Sequence, residues 1–172
     1  MRIDTVNIHF AAPSALSNAL VNAVLAKTTE QSAAPNADVR TFVGAAPQVG
    51  EVWEGQGGIY AGITRGSLES PPCHLILASV EPDDKLAWQE AIDWARGLHH
   101  EGHSDWHVPT RFESALLYAN LQERFDPKPW YWTSTQDSDA GYAWGQYFSY
   151  GNQDYDGKSS EGRVRAVRRF IA

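Results

Sequence analysis

The order of hydrophobic periods along the chain limits its fold more than any other feature. Strand-like runs occupy residues 59–64 and 74–79, and helical spacing replaces them between 83 and 125. Strand-like runs then return at 130–135, 142–150 and 163–170. Because the helices are grouped and do not alternate with single strands, the pattern predicts an α+β domain, with two helices packed on antiparallel β-strands.

Both helices have recognisable limits. The first is predicted over 83–98, with Gly97 near its end. The second is predicted to begin after Pro109, where Thr110 and Glu113 match a capping box, and to end before DPKP at 126–129. The apolar stripes expected to be buried are Leu86, Trp88, Ile92, Ala95 and Leu98 on the first helix, and Leu116, Leu117, Leu121 and Phe125 on the second.

The length, net charge, cysteine count and hydropathy of the chain limit the classes of protein to which it can belong. A chain of 172 residues and 19.0 kDa has room for one domain and a short arm. The net charge of −7 argues against a nucleic-acid partner. A lone cysteine, Cys73, excludes an intrachain disulfide framework and a cysteine zinc cluster. Because no apolar run reaches about 18 residues, we expect no membrane insertion.

The N-terminal residues 1–40 are predicted to form an arm that precedes the main domain at 41–172. Within the arm, residues 6–10 alternate like a half-buried strand, 13–27 have helical spacing, and 27–40 are polar and linker-like. Two packing partners stay open for this arm: the main domain, or a second copy of the chain in a homo-oligomer.

The same N-terminal stretch does not match a secretory signal. Asp4 lies where a basic region is required, and Ser17, Asn18 and Asn22 interrupt the apolar run. No signal peptide is therefore expected. A place on a phage virion, or in the cytoplasm before release, agrees with this reading.

Histidines are concentrated in the sequence HHEGHSDWH. His99, His100, His103 and His107 could in principle bind a metal ion. However, Gly102 interrupts the stretch, which does not have ligands at i and i+4 of one helix, and no cysteine is nearby. We expect a solvated loop, with no metal or other cofactor. A pH-sensitive contact is the remaining alternative.

The most informative composition lies between residues 137 and 162. Of these 26 residues, 18 are Ser, Tyr, Asp, Gly or Asn, and four of them are Tyr. Tyrosine offers a large, stiff contact area at low entropic cost, and the small polar residues add adaptable hydrogen bonds, as in antibody binding loops. The sequence therefore predicts a recognition surface. A set of glycine-rich turns with half-buried tyrosines is the alternative.

The alternation within 142–150 indicates which side chains face the interior. We expect Trp144, Gln146 and Phe148 to point inward. The outward side is predicted to hold Ala143, Gly145, Tyr147 and Ser149.

Short motifs follow one another in a recognisable order. They are DWHVPT at 105–110, WYWTST at 130–135, AWGQYF at 143–148, Gly151, Lys158 and VRAVR at 164–168. This order resembles the Lcl C-terminal-domain family over about residues 50–170, roughly two thirds of the chain. The resemblance implies a C-type-lectin-like fold. One departure is His107, where an arginine is common in the family.

The residues AWGQYFSYGNQ at 143–153, followed by Lys158 and RVRAVRRF at 163–170, give a narrower resemblance. They resemble the variable proteins of diversity-generating retroelements, in which mutation of adenines in a template changes asparagine-type codons into codons for other residues. This resemblance implies a variable region at about 133–162 that binds a protein or glycan receptor, as on phage tails or cell surfaces. The implied ligand-binding residues are Asp137, Asp139, Gly141, Tyr142, Gly145, Tyr147, Ser149, Tyr150, Asn152, Asp154, Tyr155, Asp156, Ser159 and Ser160, and the implied variable positions also include Gly157 and Gly162. Trp106, Trp132, Trp144 and Phe148 are predicted to form the hydrophobic scaffold.

Other functions are weaker matches. Formylglycine-generating chemistry on a similar fold needs a reactive cysteine pair, and iron-dependent oxygenation needs converging histidines. A calcium-dependent lectin needs a Trp-Asn-Asp tripeptide, which is missing, although Glu-Pro-Asp occurs at 81–83. We therefore expect calcium-independent binding and no enzymatic activity. The first alternative is an undiversified structural or adhesin module, and the second is a metal-dependent enzyme with the formylglycine-generating type of fold.

Overall fold

Two antiparallel sheets and two helices form the part of the chain that the structure describes. The computed structural model describes residues 46–66 and 71–171. It confirms the α+β prediction of two helices with antiparallel strands. The arm predicted at 1–40 and its boundary with the following domain lie outside the described residues.

The elements follow one another in an order that places both helices between the early and late strands. They are β1 (Val52–Trp53), β2 (Gly58–Ile63), β3 (His74–Ala78), α1 (Trp88–Gly97), α2 (Arg111–Leu121), a 3-10 turn (Gln122–Arg124), β4 (Trp130–Gln136), β5 (Tyr142–Tyr147), β6 (Gln153–Gly157) and β7 (Val167–Phe170).

The first sheet has the strand order β1-β2-β3-β7, so the final strand lies at its edge. Strand β7 is shorter than the predicted run of 163–170 because the residues before it pair elsewhere. The Trp132 amide donates to the Arg163 carbonyl at 2.9 Å, and the Ala78 amide donates to the Ala166 carbonyl at 2.9 Å. Residues 163–166 therefore join the two sheets.

The second sheet has the order β4-β5-β6, with β5 in the centre. Trp132 lies opposite Gly145, and Trp144 lies opposite Tyr155. The sequence did not predict β6, because QDYDG carries the composition of a turn. Pairing with β5 imposes the extended conformation there.

Local signals define the helix starts. Thr110 Oγ1 accepts from the Glu113 amide at 3.2 Å, and Glu113 Oε2 accepts from the Thr110 amide at 2.8 Å, which confirms the capping box. Helix α1 begins at Trp88, later than predicted, because Leu86 pairs with Gly162 through two 3.0 Å backbone hydrogen bonds. Neither described helix combines the length and apolar character that a membrane crossing requires.

The core consists of two clusters, one on each face of the second sheet. Trp106, Trp132 and Ala143 are buried in the first cluster. In the second cluster, the rings of Phe125 and Phe148 are stacked, with centroids 3.6 Å apart and planes 3° from parallel. The second sheet is therefore packed on both sides along most of β4 and β5.

A buried carboxylate attaches the start of α2 to the first sheet. Glu113 accepts from Arg169 Nε at 2.8 Å, and both of its oxygens lie 3.3 Å from His107 Nε2. Burial alone would raise the pKa of Glu113, but the hydrogen bonds with His107 and Arg169 outweigh it and hold the pKa at about 2. His107 and Arg169 thus both contact this carboxylate.

We expect Glu113→Gln to destabilise the fold at pH 7 by about 3 kcal/mol, because an ionised group with a depressed pKa stabilises the folded state. That contribution is complete above the ordinary value of 4.5 and is lost as the pH falls toward about 2. Glutamine keeps an acceptor for the Thr110 amide, so the capping geometry is retained. Urea unfolding at pH 7 and at low pH measures the difference. A difference between variant and wild type that does not shrink at low pH would contradict this account.

Candidate functional site

Three aromatic side chains lie side by side on β5 and β6 and form what we call the aromatic row. It consists of Tyr142, Tyr155 and Trp144. The Tyr142 and Tyr155 rings are 5.8 Å apart, and the Tyr155 and Trp144 rings are 5.5 Å apart. Tyr142 is 40% exposed and Tyr155 is 53% exposed, whereas Trp144 is half-buried. The row therefore presents phenol rings to solvent beside a more enclosed indole.

Arg111, the first residue of α2, completes one end of the row. Its guanidinium lies 3.4 Å from the centre of the Trp144 ring. Arg111 Nε donates to Gln153 Oε1 at 3.0 Å, and Gln153 Nε2 donates to Gln146 Oε1 and to the Arg111 carbonyl, both at 2.8 Å. Gln146 is fully buried. These hydrogen bonds hold the guanidinium of Arg111 over the Trp144 indole, and neither tyrosine of the row takes part in them.

Sequence reasoning missed Arg111. The residue is 42 positions from Gln153, and no local pattern connects the two. The only signal was its place directly after the Thr110 cap, which sets the first turn of α2.

Lys158 fixes the loop that follows β6. Its Nζ lies 4.3 Å from the centre of the Trp88 ring and donates to Gln136 Oε1 at 2.7 Å. Its carbonyl accepts from the Trp88 amide at 3.0 Å. The loop is therefore tied to the start of α1, which limits its movement beside the aromatic row.

Aspartates organise the turns that flank the row. Asp137 Oδ1 accepts from the Asp139 amide at 3.1 Å, and Asp139 Oδ1 accepts from the Gly141 amide at 2.9 Å. Asp156 Oδ1 accepts from Ser160 Oγ at 3.1 Å. Such side chains stabilise tight turns by satisfying backbone and hydroxyl donors locally.

Two aspartates also cover the free edge of β6. The pairing of β5 with β6 directs the amides of Tyr155 and Gly157 away from the sheet. Asp154 Oδ1 accepts from the Tyr155 amide at 2.9 Å, and Asp156 Oδ1 accepts from the Gly157 amide at 2.7 Å. Since exposed edge amides are templates for pairing with another strand, these carboxylates protect the edge.

The structure places the predicted ligand-binding residues at three levels of exposure. The exposed ones are Asp139, Gly141, Tyr142, Tyr150, Asn152, Asp154, Tyr155, Asp156 and Ser159. Asp137, Tyr147, Ser149 and Ser160 are half-buried, and Gly145 is buried. The predicted ligand-binding residues also fall into two groups at opposite ends of the β5–β6 hairpin. Residues 137–142 and 156–160 lie at one end, and 149–152 lie at the other.

The prediction that Gly145 faces outward is wrong, because Gly145 is buried against an indole, and Gly162, also matched to a variable position, is buried against the same indole. A Cβ at Gly145 would lie 2.6 Å from Trp130 Cε3, and a Cβ at Gly162 would lie 2.9 Å from Trp130 Cη2. The Trp130 ring therefore requires glycine on both sides.

The predicted faces of β5 also need correction. Ala143 was expected to point outward, but it is fully buried beside Trp132 in the first core cluster. Trp144 was expected to point inward, and it is instead half-buried in the aromatic row. Gln146 and Phe148 are fully buried or nearly so. The side chains still alternate between the two faces of the sheet, but burial does not follow this alternation because the sheet packs on both faces.

The histidine stretch forms a hydrogen-bonded loop. The backbone amides of His100 and His103 each donate to the other's carbonyl at 3.0 Å, and His103 Nε2 lies 3.0 Å from the Gly55 carbonyl. Within residues 46–66 and 71–171, no group of three or more His, Cys, Asp or Glu side chains is arranged to hold a metal ion.

Comparison with known proteins gives one family. The model of the Lcl C-terminal domain matches residues 48–168, which is well over half of the chain. The chain belongs to this family. No curated protein matches the sequence. Membership of the Lcl C-terminal domain family suggests a ligand-binding or receptor-binding type of domain.

The motifs shared with the Lcl C-terminal domain family meet in space. Arg168, from VRAVR, donates through Nε to Asp105 Oδ1 at 2.8 Å. The amides of His107 and Val167 each donate to the other's carbonyl at 2.8 Å. The hydrogen bond with Arg168 also holds the pKa of Asp105 below its ordinary value, against the opposing effect of its partial burial. These contacts give a structural reason for DWHVPT and VRAVR to occur together.

We expect Gly145→Ser to destabilise the protein by about 1–3 kcal/mol, because the new side chain overlaps the Trp130 ring. Gly141→Ser is the matched control, since a Cβ there meets nothing closer than Asp139 Oδ1 at 3.4 Å. Thermal unfolding followed by circular dichroism measures both variants. Equal melting temperatures for the two variants would show that position 145 tolerates side chains after all.

We expect Asp154→Ala combined with Asp156→Ala to increase self-association, because two outward amides of β6 lose their acceptors. The Asp154→Asn and Asp156→Asn pair removes the same charge but keeps an acceptor oxygen at each position. Sedimentation velocity over a range of concentrations compares them. The account requires the alanine pair to associate more strongly than the asparagine pair, and identical behaviour of the two would rule it out.

Proposed function

We propose that this protein is a non-enzymatic, calcium-independent binding protein with a C-type-lectin-like fold, and that the aromatic row and its flanking turns bind a protein or glycan receptor. The observation that carries the proposal is the exposure of Tyr142 and Tyr155 above a hydrogen-bonded scaffold that does not use them. Large exposed aromatic side chains on a fixed support are typical of binding hot spots.

The support is rigid where binding needs it. Trp144 is held by Arg111, and the strand beneath it is fixed by the buried side chains of Gln146 and Phe148. A preorganised surface loses little conformational entropy on binding. Tyrosine adds contact area with few rotatable bonds, which keeps that cost low.

The retroelement resemblance extends the proposal to diversification. The exposed side chains at 139–142 and 154–156 contact their own turns, the β6 edge or the other rings of the aromatic row, all outside the two core clusters. We therefore expect substitution there to cost little stability. Buried residues such as Trp132 and Phe148 would stay constant. On this proposal, the domain is a variable tip for phage receptor binding or surface display.

An undiversified adhesin-like module is the second candidate. The observation in its favour is the burial of Gly145 and Gly162, because two positions matched to variable ones cannot accept side chains easily. Binding through the aromatic row is common to both candidates, and only the origin of the surface differs.

A selected receptor tests the binding role. A display library of bacterial surface-protein domains and a printed glycan panel supply candidate binders, and surface plasmon resonance gives Kd. We expect Tyr142→Ala with Tyr155→Ala to weaken binding by about 30-fold or more, since each hot-spot truncation costs about 1–3 kcal/mol. The melting temperature should stay close to that of the wild type.

Phe112→Ala is the control, because Phe112 is 90% exposed and lies outside the row. It should leave the Kd unchanged. Unchanged binding by the double tyrosine variant, or its unfolding, would contradict the proposed site.

Sequencing the flanking DNA tests diversification separately. We expect a near-copy of the coding stretch for residues 132–170 that differs at adenines, beside a reverse transcriptase gene. Flanking DNA without such a copy or such a gene would favour the undiversified module.

A further inference from the structure

We infer that the receptor presents a basic protein surface to the aromatic row, with lysine or arginine side chains that contact the exposed tyrosines and the carboxylates around them. This inference rests on the proposed function and names the chemistry of its partner. The charges, the ring geometry and the protected strand edge of this face carry it.

Among residues 46–66 and 71–171, the carboxylates around the row have no partner of opposite charge. Four aspartates and a glutamate, all exposed or half-buried, belong to the turns beside the row and to its edge strand: Asp137, Asp139, Asp154, Asp156 and Glu161. Asp154 and Asp156 alternate with Tyr155 along β6, so their side chains leave the strand on the sheet face opposite to the row and adjoin the row at its edge. None of them forms an ion pair within the described part of the chain. Each aspartate uses Oδ1 for a local hydrogen bond, which fixes the side chain and leaves Oδ2 available to a ligand. The turns and the strand edge beside the row therefore carry four fixed negative charges.

The cations that contact this face are already engaged. Arg111 is stacked on Trp144 and donates to Gln153, and Lys158 lies over Trp88 and donates to Gln136. An anionic ligand would have to draw them away from these contacts. A cationic ligand meets the carboxylates without any rearrangement.

The exposed rings suit cations better than they suit sugars. The planes of Tyr142 and Tyr155 are 90° apart, and those of Tyr155 and Trp144 are 72° apart, so the row offers no continuous flat platform. The guanidinium of Arg111 covers one face of the Trp144 indole. Tyr142 is 40% exposed and Tyr155 is 53% exposed, and an ammonium or guanidinium group binds the face of an exposed phenol ring through its quadrupole.

Backbone pairing is not the means of recognition at this face. Asp154 and Asp156 occupy the outward amides of Tyr155 and Gly157 on the β6 edge. A partner strand would have to displace both side chains before it could pair. Contact through side chains is the route that the geometry leaves open.

Isothermal titration calorimetry measures the binding of three probes to the full chain. The probes are a basic peptide made of lysine, arginine and glycine; heparin; and a neutral oligosaccharide. We expect the basic peptide alone to bind, and to bind less tightly as sodium chloride rises from about 50 to about 300 mM. Asp154→Asn with Asp156→Asn should weaken that binding about fivefold, since each exposed charge contributes modestly. Tyr142→Ala with Tyr155→Ala should weaken it as well.

The matched control is Glu54→Gln with Glu101→Gln, which makes the same change in net charge at exposed positions in and near the β1–β2 turn. This pair should leave peptide binding unchanged. Equal weakening by the control pair would reduce the effect to net charge and overturn the inference, as would tight binding of heparin or no binding of the peptide. Tyrosine-dependent binding of the neutral oligosaccharide without the peptide would overturn it while supporting the proposed function. The proposed function itself would be contradicted separately, if a selected receptor bound the double tyrosine variant with an unchanged Kd.

Discussion

The burial of Phe148 and Gln146 at the end of β5 is the constraint on which the candidate site depends. Phe148 stacks on Phe125 and meets the edge of Tyr131, and Gln146 bonds to Gln153. These contacts fix the position of β5 through buried side chains, so we expect the exposed Tyr142 on the same strand to contribute little to the stability. A surface whose residues do little for folding is free to serve recognition.

Much of the fold follows from short-range sequence signals. The capping box at Thr110 and the apolar runs of β2 and β3 are decided by residues within a few positions of one another, so they could be predicted. Strand β6 could not be predicted, because its polar residues carry no hydrophobic period and only pairing with β5 extends them. Strand β7 is shorter than predicted because the residues before it form backbone hydrogen bonds with residues of both sheets that are distant in the sequence.

The candidate site was predicted in outline but not in its faces. The exposure of Tyr142 and Tyr155 agrees with their composition, which is typical of binding loops. The burial of Ala143, Trp144 and Gly145 was predicted wrongly. Alternation along a strand predicts burial only when a single side of the sheet is buried. The stacking of Arg111 on Trp144 depends on tertiary packing that no local pattern encodes.

The central claim is that a constant scaffold supports a surface that accepts substitution. Saturation mutagenesis of residues 130–165 in the displayed full chain, sorted by protease resistance, tests it most directly. The account predicts that most replacements at Tyr142, Tyr155 and Asp139 leave the fold resistant, whereas most at Trp132, Gln146 and Phe148 do not. If replacements of the two exposed tyrosines unfold the chain as often as those of Phe148, the tyrosines are part of the scaffold and the claim is wrong.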